Sequence, residues 1–472
     1  MKFDMLPLLS QDQLEHIHEK TIELLSRTGF RFMHPECMEI FKAHGFKTDK
    51  DIVYFTEAQI NGALDQVGNQ FLLKARNPDH DIEFTMDTFS TGLGGGAVWI
   101  MDPDKGSRPV VMEDALRLMK LAQVLKEVET WRPLLIPTDI RGDLNPAWLT
   151  ANAVRYLDKP YCYMSHNEIE IVRMGYGVSR ETMVRDGEKN ISYGQSSVNV
   201  ISPMTLGTDQ CESMLAFLKA GIVFNLAPMP AGGTTAPITL AGEIIQQNAE
   251  NLAPLVLCQL IKPGAPVIYG TIGSHTDMRT MATVFGSPET HILEYAAAQM
   301  ARFYNMLSRG DVGITDAPAS DFQAGAESMF QFLNTARSGI NFLPGMGHLG
   351  SFMGGSLAKV VLDAELATMT RRYLKPISFT DDTMALDLIQ TVGPGGHFVT
   401  QAHTLKYCRC EYMVPDVFQR ESYETWSKKG QPSSLSIAAK RVDKLISTYE
   451  KPHLDPELER DLDAYMAKTY GL

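Results

Sequence analysis

The chain has 472 residues, of which 44% are hydrophobic and 21% charged, with a formal net charge of −13; a single barrel domain of about 250 residues plus additions fits that length. Lys and Arg gather no further than pairs such as Lys428 with Lys429 and Arg371 with Arg372, which excludes the basic tracks that hold nucleic acid. The start, "MKFDMLPLLSQDQLEHIHEK", has no continuous apolar run, and no stretch approaches the roughly 20 apolar residues of a membrane span, so the expectation is a soluble, cytoplasmic protein.

Residues 1–85 read as an appended, mostly helical region. In "QDQLEHIHEKTIELLSRTGF", Leu14, Ile17, Ile22, Leu24 and Leu25 recur at helical spacing and Gly29 ends the pattern. "TEAQINGALDQV" is a second helix, with Thr56 as its cap and Glu57 just inside.

From residue 86 short β-rich runs alternate with longer amphipathic segments. Strands are predicted at 88–94, 131–138, 160–166, 190–197, 221–228, 266–272, 310–315 and 340–346, and helices at 112–128, 146–157, 167–179, 208–220, 240–261, 287–307, 320–338 and 356–374. Eight βα units argue a parallel sheet closed as a TIM (β/α)8 barrel over 86–375. A doubly wound open sheet is the runner-up, but its G-x-G-x-x-G turn is absent. "GLGGGAVWIMDPDKGSRPV" reads instead as a β-hairpin, since Asp-Lys-Gly is turn chemistry. Residues 376–472 form a mixed tail with an amphipathic helix at 435–450, expected to pack on the barrel or on a second copy of the chain; a homo-oligomer stays open.

Six cysteines, at 37, 162, 211, 258, 408 and 410, suit reduced thiols. Cys408 and Cys410 with His403 resemble a ligand cluster, but same-face strand positions explain that spacing equally well, and a structural metal site needs four ligands. No metal is predicted.

In a barrel, function collects at the carboxyl ends of the strands. Those ends carry Gly92 to Gly96, Asp139, His166 with Asn167, Gln195, Asn199, "PMPAGGTT", Tyr269, Thr315 with Asp316, and His348. Paired carboxylates for glycoside hydrolysis would have to be Asp139 and Asp316, and Asp139 sits in a loop exit. Schiff-base chemistry needs a strand lysine, and none of the eight strands has one. His166 and His348 alone do not make a metal hydrolase. The strand ends therefore offer binding more than proton transfer, around a mouth rich in glycine that admits a bulky planar partner.

The stretches "PMPAGGTTAPITLAG", "TDAPASDFQAGAES" and "HFVTQAHTLKYCRCEYMVPDVFQRESYETW" resemble the trimethylamine methyltransferase family of corrinoid-dependent methyltransferases, and the resemblance runs over essentially the whole chain. It implies a TIM barrel that docks a small corrinoid-binding protein over its carboxyl face, the corrinoid (cobalamin) being supplied by that partner. Founding members carry pyrrolysine in the barrel, whereas this chain has only the twenty standard residues. It is thus similar to the non-pyrrolysine branch, whose substrates are quaternary amines such as glycine betaine, carnitine and proline betaine; length and the "GMGHLGS" segment around His348 are most similar to the glycine betaine enzymes. A quaternary ammonium expels a neutral amine when Co(I) takes its methyl, so no general acid is required.

On that resemblance, Tyr193, Tyr269, Phe342 and Phe352, with Trp99, become candidates for a cage around the ammonium. His348 is the candidate donor to a substrate carboxylate, with Gln195 and Asn199 assisting. Gly94, Gly95, Gly232, Gly233, Gly347 and Asp316 would face the corrinoid, while Asp316 and Asp321 orient loops. Two other classes stay on the page: a barrel lyase or hydrolase using His348 and Asp316 as an acid and base pair, and an osmolyte-binding protein, against which the lack of a signal segment and of two lobes counts.

Overall fold

A computed structural model of the chain describes residues 7–102 and 106–472. At its centre lies a curled, all-parallel sheet of seven strands: β1 (Ser90–Leu93), β2 (Cys162–Tyr163), β3 (Gln195–Val198), β4 (Val223–Leu226), β5 (Val267–Gly270), β6 (Ser308–Arg309) and β7 (Phe342–Met346). Their order across the sheet is β1-β7-β6-β5-β4-β3-β2. Parallel neighbours need a crossover, and helices supply it: α1 (Met112–Val124), α2 (Asn145–Tyr156), α3 (Ile169–Gly175), α4 (Thr208–Ala220), α5 (Leu240–Ile261), α6 (Pro288–Phe303), α7 (Phe322–Arg337) and α8 (Leu357–Leu374).

The expected strand at 131–138 is not a strand. Pro133 and Pro137 remove two ladder donors from it. What remains are isolated parallel bridges, Gly92 with Thr130, Ala97 with Leu135 and Trp131 with Tyr161, which link the two edge strands β1 and β2. The strand expected at 310–315 starts earlier, at Ser308. Beyond it the N–H groups of Gly310 and Val312 still donate to the carbonyls of Phe342 and Pro344 (3.2 and 2.9 Å), until Gly313 at φ +72° leaves the extended form.

Helix α5 is buried on nearly every face. A helix buried on all sides needs cover on its outer side, and the helix Gln11–Arg27 provides it, with Asn248 of α5 donating to Thr21 across that contact (2.9 Å). That helix begins on a Ser10 and Gln13 capping box and ends before Gly29 at φ +73°. The first 85 residues also contribute helices at Pro35–Ala43 and Glu57–Leu64, the latter capped by Thr56, and five three-residue strands beyond the mostly helical expectation. Two of these, Phe71–Leu73 and Ile82–Phe84, plug the amino end of the sheet, where Phe71, Phe84, Val223, Ile268, Leu307 and Phe342 pack together.

The expected hairpin forms from Trp99–Asp102 and Gly106–Pro109, paired antiparallel; its Asp-Lys turn lies outside the described residues. In the tail, Ser434–Ser447 is the expected amphipathic helix and packs against α8 and α1. Cys408 and Cys410 sit not on a strand but in the turn that ends the helix Ala402–Tyr407, both exposed, and the His403 ring contacts the Asp382 carbonyl instead. Among the described residues no helix is long and apolar enough to cross a membrane.

Candidate active site

A cavity of about 370 Å³ opens at the carboxyl end of the sheet. Gly94 and Gly95 follow β1, Ser197 and Asn199 close β3, Ala227 and Met229 follow β4, Ile272 follows β5, Arg309 and Asp311 close β6, and Pro344 and Gly345 belong to β7. Arg132, Phe285, Ser351 and Phe352 complete the wall. The curled sheet thus aims most of its strand ends at one volume, the usual place for chemistry in such a fold.

Two charges sit together in the floor. Arg309 meets Asp311 through two contacts, 2.6 and 3.0 Å, with both side chains only 3% exposed, and also donates to the Thr271 carbonyl. Burial pushes the Asp311 carboxyl up and the Arg309 charge pulls it back. Such a buried two-point pair is geometrically fixed. Arg132 is different: among the described residues its guanidinium makes no hydrogen bond or ion pair, and it stands beside Gly95.

Phe285 and Phe352 form the aromatic part of the wall, edge to face with centroids 4.6 Å apart. Gly350, Ser351 and Phe352 are all left-handed, at φ +56°, +54° and +72°. For Ser and Phe this conformation is costly, and such strain gathers at working sites. Asp316 holds the turn in place: its carboxylate accepts from the backbone N–H of Phe285 (3.0 Å) and Gly286 (2.8 Å) and from Ser351 Oγ (2.7 Å).

His348 stands behind this wall, wholly buried, its ring 4.6 Å from that of Phe352. Its Nε2 accepts the Gly95 N–H at 3.1 Å. Nδ1 lies within electrostatic reach of the Gly354 carbonyl without hydrogen-bond geometry. Desolvation lowers its pKa to about 3, against the support of the Gly354 and Gly95 backbone and with the nearby Arg132 charge adding to the fall. In the neutral ring the proton sits on Nδ1, while Nε2, on the side of Gly95, is an acceptor already used, and the ring lines no part of the cavity, so the expected grip on a carboxylate is not what this geometry offers. With Asp316 engaged by two backbone N–H groups and the Ser351 hydroxyl, neither residue is poised as an acid and base pair.

The cavity brings together Asn199, Phe352, Gly94 and Gly95 of the sequence candidates. Gln195 points into the same interior one step below, on the face it shares with Ser197, and both its amide atoms are buried without a partner. The remaining aromatics are elsewhere. Tyr193 lies before the amino end of β3, donating to Asp186 (2.7 Å) and packed on Tyr176. Tyr269 turns outward and donates to Asn248 on α5 (2.9 Å). Phe342 belongs to the plug at the amino end. Gly347 faces Leu134 and Val360 in the core, and its N–H donates to Asp363 (2.8 Å). Gly232, in a short strand Ala231–Gly232 paired with Ser274 and His275, and Gly233 just after it follow β4, against Glu243 and Met278. Arg132, Arg309, Asp311 and Phe285 were not anticipated. The available signal was a charged side chain beside an apolar run, in "WRPLLIPT" and "SRGDVGIT".

The family model for trimethylamine methyltransferase (MTTB) matches residues 1–470. The chain is 33% identical over 471 residues to the glycine betaine methyltransferase of Desulfitobacterium hafniense (strain Y51), covering 98% of this chain and 96% of that one. It is 27% identical to the trimethylamine methyltransferase MttB of Methanosarcina barkeri (98% and 95% covered) and 25% identical to the L-carnitine:corrinoid methyltransferase of Eubacterium limosum (98% and 97%). Among solved structures, the Methanosarcina barkeri monomethylamine methyltransferase (MtmB) superposes with a TM-score of 0.54 at 14% identity, over 95% of this chain and 89% of that one, a likeness of fold. With a match this complete, the chain belongs to the trimethylamine methyltransferase (MTTB) family.

Proposed function

We propose that this protein transfers a methyl group from a quaternary amine, glycine betaine in the first place, to the cobalt of a corrinoid carried by a separate small protein, releasing dimethylglycine. The observation that carries the reading is the 33% identity to a glycine betaine methyltransferase along nearly the whole chain. In this reading the curled sheet acts as a (β/α)8 barrel, with residues 130–131 in the second place, flanked by the 1–85 and 376–472 additions.

The rim supports a protein partner. After every sheet strand the chain exposes a large apolar side chain before or at the start of the next helix: Trp99 of the hairpin after β1, Met164 after β2, Ile201 after β3, Met229 after β4, Met278 and Met281 after β5, Phe322 after β6 and Met353 after β7. Apolar groups collected at one end of a molecule mark a docking surface, and methionine-rich ones adapt to their partner. The glycine-lined mouth beneath leaves room for a flat macrocycle.

A docked corrinoid in its Co(I) state would supply the electron pair that takes the methyl. The electrons of the broken N–CH3 bond stay on nitrogen, so the leaving amine is neutral and no residue has to donate a proton. That agrees with a cavity that no histidine lines among the described residues, His348 being sealed behind the wall, and whose Asp311 is committed to Arg309. The protein's part is to align methyl and metal in a water-poor space, where positioning alone can contribute several kcal/mol, up to about 7–11 in the best cases. The test is incubation with free cob(I)alamin and a panel of glycine betaine, proline betaine and carnitine, following methylcobalamin by its visible spectrum. Methyl transfer from none of them, with or without a corrinoid protein, would overturn the reading.

A further inference from the structure

We propose that Arg132 is the residue that holds the substrate's carboxylate and makes the site select zwitterions over simple cations; this rests on the methyl-transfer reading above. Three observations carry it. Arg132 lines the cavity, yet among the described residues its guanidinium has no hydrogen-bond or ion-pair partner. Arg309, the other cation of the wall, is neutralised by Asp311 and occupied by the Thr271 carbonyl. Asp316 spends its oxygens on backbone N–H groups and Ser351, and Glu294, which lines no part of the cavity, accepts the Asp311 N–H from behind (3.1 Å). The charge of Arg132 reaches Asp311, but among the described residues Arg132 is the cation of the cavity wall whose guanidinium donors are left for a ligand, while the one carboxylate of the wall, Asp311, is held by Arg309.

A guanidinium offers a planar fork of donors that matches both oxygens of a carboxylate. A substrate that is only a cation would meet Arg132 as repulsion. One that carries a carboxylate two or three bonds from its ammonium can place the anion there and leave the methyl groups to the aromatic side of the cavity, at Phe285 and Phe352. The anchor is rigid at its base: the Trp131 N–H donates to the Pro160 carbonyl (2.9 Å), the Leu134 N–H to the Arg132 carbonyl (2.9 Å), and Pro133 fixes the chain between.

The test compares glycine betaine with its methyl ester, which keeps the trimethylammonium and loses the anion, on wild type, R132Q and R132K. Wild type is expected to favour the betaine by ~30-fold or more in kcat/KM, and R132Q to bring that ratio close to one, with the loss carried by KM; R132K recovers part of it. Calorimetric binding of glycine betaine without any corrinoid should weaken in parallel in R132Q. Because binding needs no turnover, it separates the two claims: absence of methyl transfer with Arg132-dependent binding overturns the reaction and keeps the anchor. A ratio and a binding constant unchanged in R132Q overturn the anchor, and so does an equal loss for betaine and ester. Thermal melting of each variant controls for folding, and R132K keeps the question decidable if R132Q does not fold.

Discussion

A Cβ on Gly94 would stand 2.1 Å from the Cδ2 atom of His348. The wall of the cavity is thin at that point, and a buried imidazole fills the space that any other residue at 94 would need. The His348 ring also accepts the Gly95 N–H, so it sets the path of the chain that follows β1. Gly94→Ala is expected to destabilise by about 1–3 kcal/mol through overpacking. His348→Ala should cost about 2–4 kcal/mol through the void and the orphaned Gly95 donor. Since the two changes share one space, the double variant should be less destabilised than their sum by ~1 kcal/mol or more, measured by urea unfolding. Simple additivity would show that the contact does not matter.

The same burial has a pH signature. A histidine lowered to about 3 in the folded chain, against 6.5 when unfolded, is neutral in the fold while the unfolded chain takes up a proton. Its contribution to stability is therefore complete above pH 6.5 and fades as pH falls from there toward 3. Methyl transfer should show no limb from this ring between pH 5.5 and 8. A limb near pH 6 that His348→Gln abolishes would contradict the sealed geometry.

Glu168 works in the opposite sense. Its carboxyl is fully enclosed and accepts from Thr150 Oγ1 (2.7 Å), Tyr161 Oη (3.1 Å) and the Met164 N–H (3.2 Å), and burial raises its pKa from 4.5 to about 7 despite those donors. The folded chain keeps its proton where the unfolded chain has lost it, so its contribution is complete below pH 4.5 and is lost as pH rises to 7. At about 1.4 kcal/mol per tenfold in proton affinity the loss is on the order of 3 kcal/mol. Glu168→Gln, which keeps the shape without the charge, should match wild type at pH 4 and melt higher at pH 8. A difference in melting temperature that stays constant with pH would remove Glu168 as its cause.

How much of this was legible in the sequence follows from which forces are local. The eight helices of the repeat stand close to where apolar periodicity puts them, because a helix face repeats every turn and needs no partner to be seen. The strands blur at residues 131–138 and 308–313, where Pro133, Pro137 and Gly313 break the ladder. Side-chain direction was the harder question. Tyr193, Tyr269 and Phe342 all lie on or beside sheet strands, yet whether a ring faces the mouth, the helices or the amino-end plug depends on register, and one residue of slip inverts it. Arg132 and Arg309 became visible only when the fold showed which of the two has a counter-charge.

The docking rim is tested by charge. Met278 and Met281 are about 60% exposed on the loop after β5 and line no part of the cavity. Aspartate at both positions should raise KM for a methyltransferase-associated corrinoid protein about tenfold or more, the cost expected when an apolar contact is replaced by an unpaired buried charge. Transfer to free cobalamin, which needs no protein contact, should stay within about twofold. If both acceptors suffer alike, the loop shapes the cavity and not the interface.

Phe285 tests the ammonium side of the site. Its ring is buried edge to face with Phe352, and its N–H is held by Asp316, so the side chain has little freedom to withdraw. An aromatic face attracts a quaternary ammonium by about 0.5–2 kcal/mol beyond contact area, and Phe285→Leu keeps most of the apolar bulk while removing the π face. Loss of that attraction alone corresponds to about 2- to 30-fold in affinity for glycine betaine. The uncharged analogue in which carbon replaces nitrogen, 3,3-dimethylbutanoate, has the same shape and carboxylate but no cation to attract. Measured by competition, its affinity should hardly change in Phe285→Leu while that of glycine betaine falls. Equal losses for the two ligands would mean that Phe285 contributes shape only, and that the positive charge is held by another part of the wall.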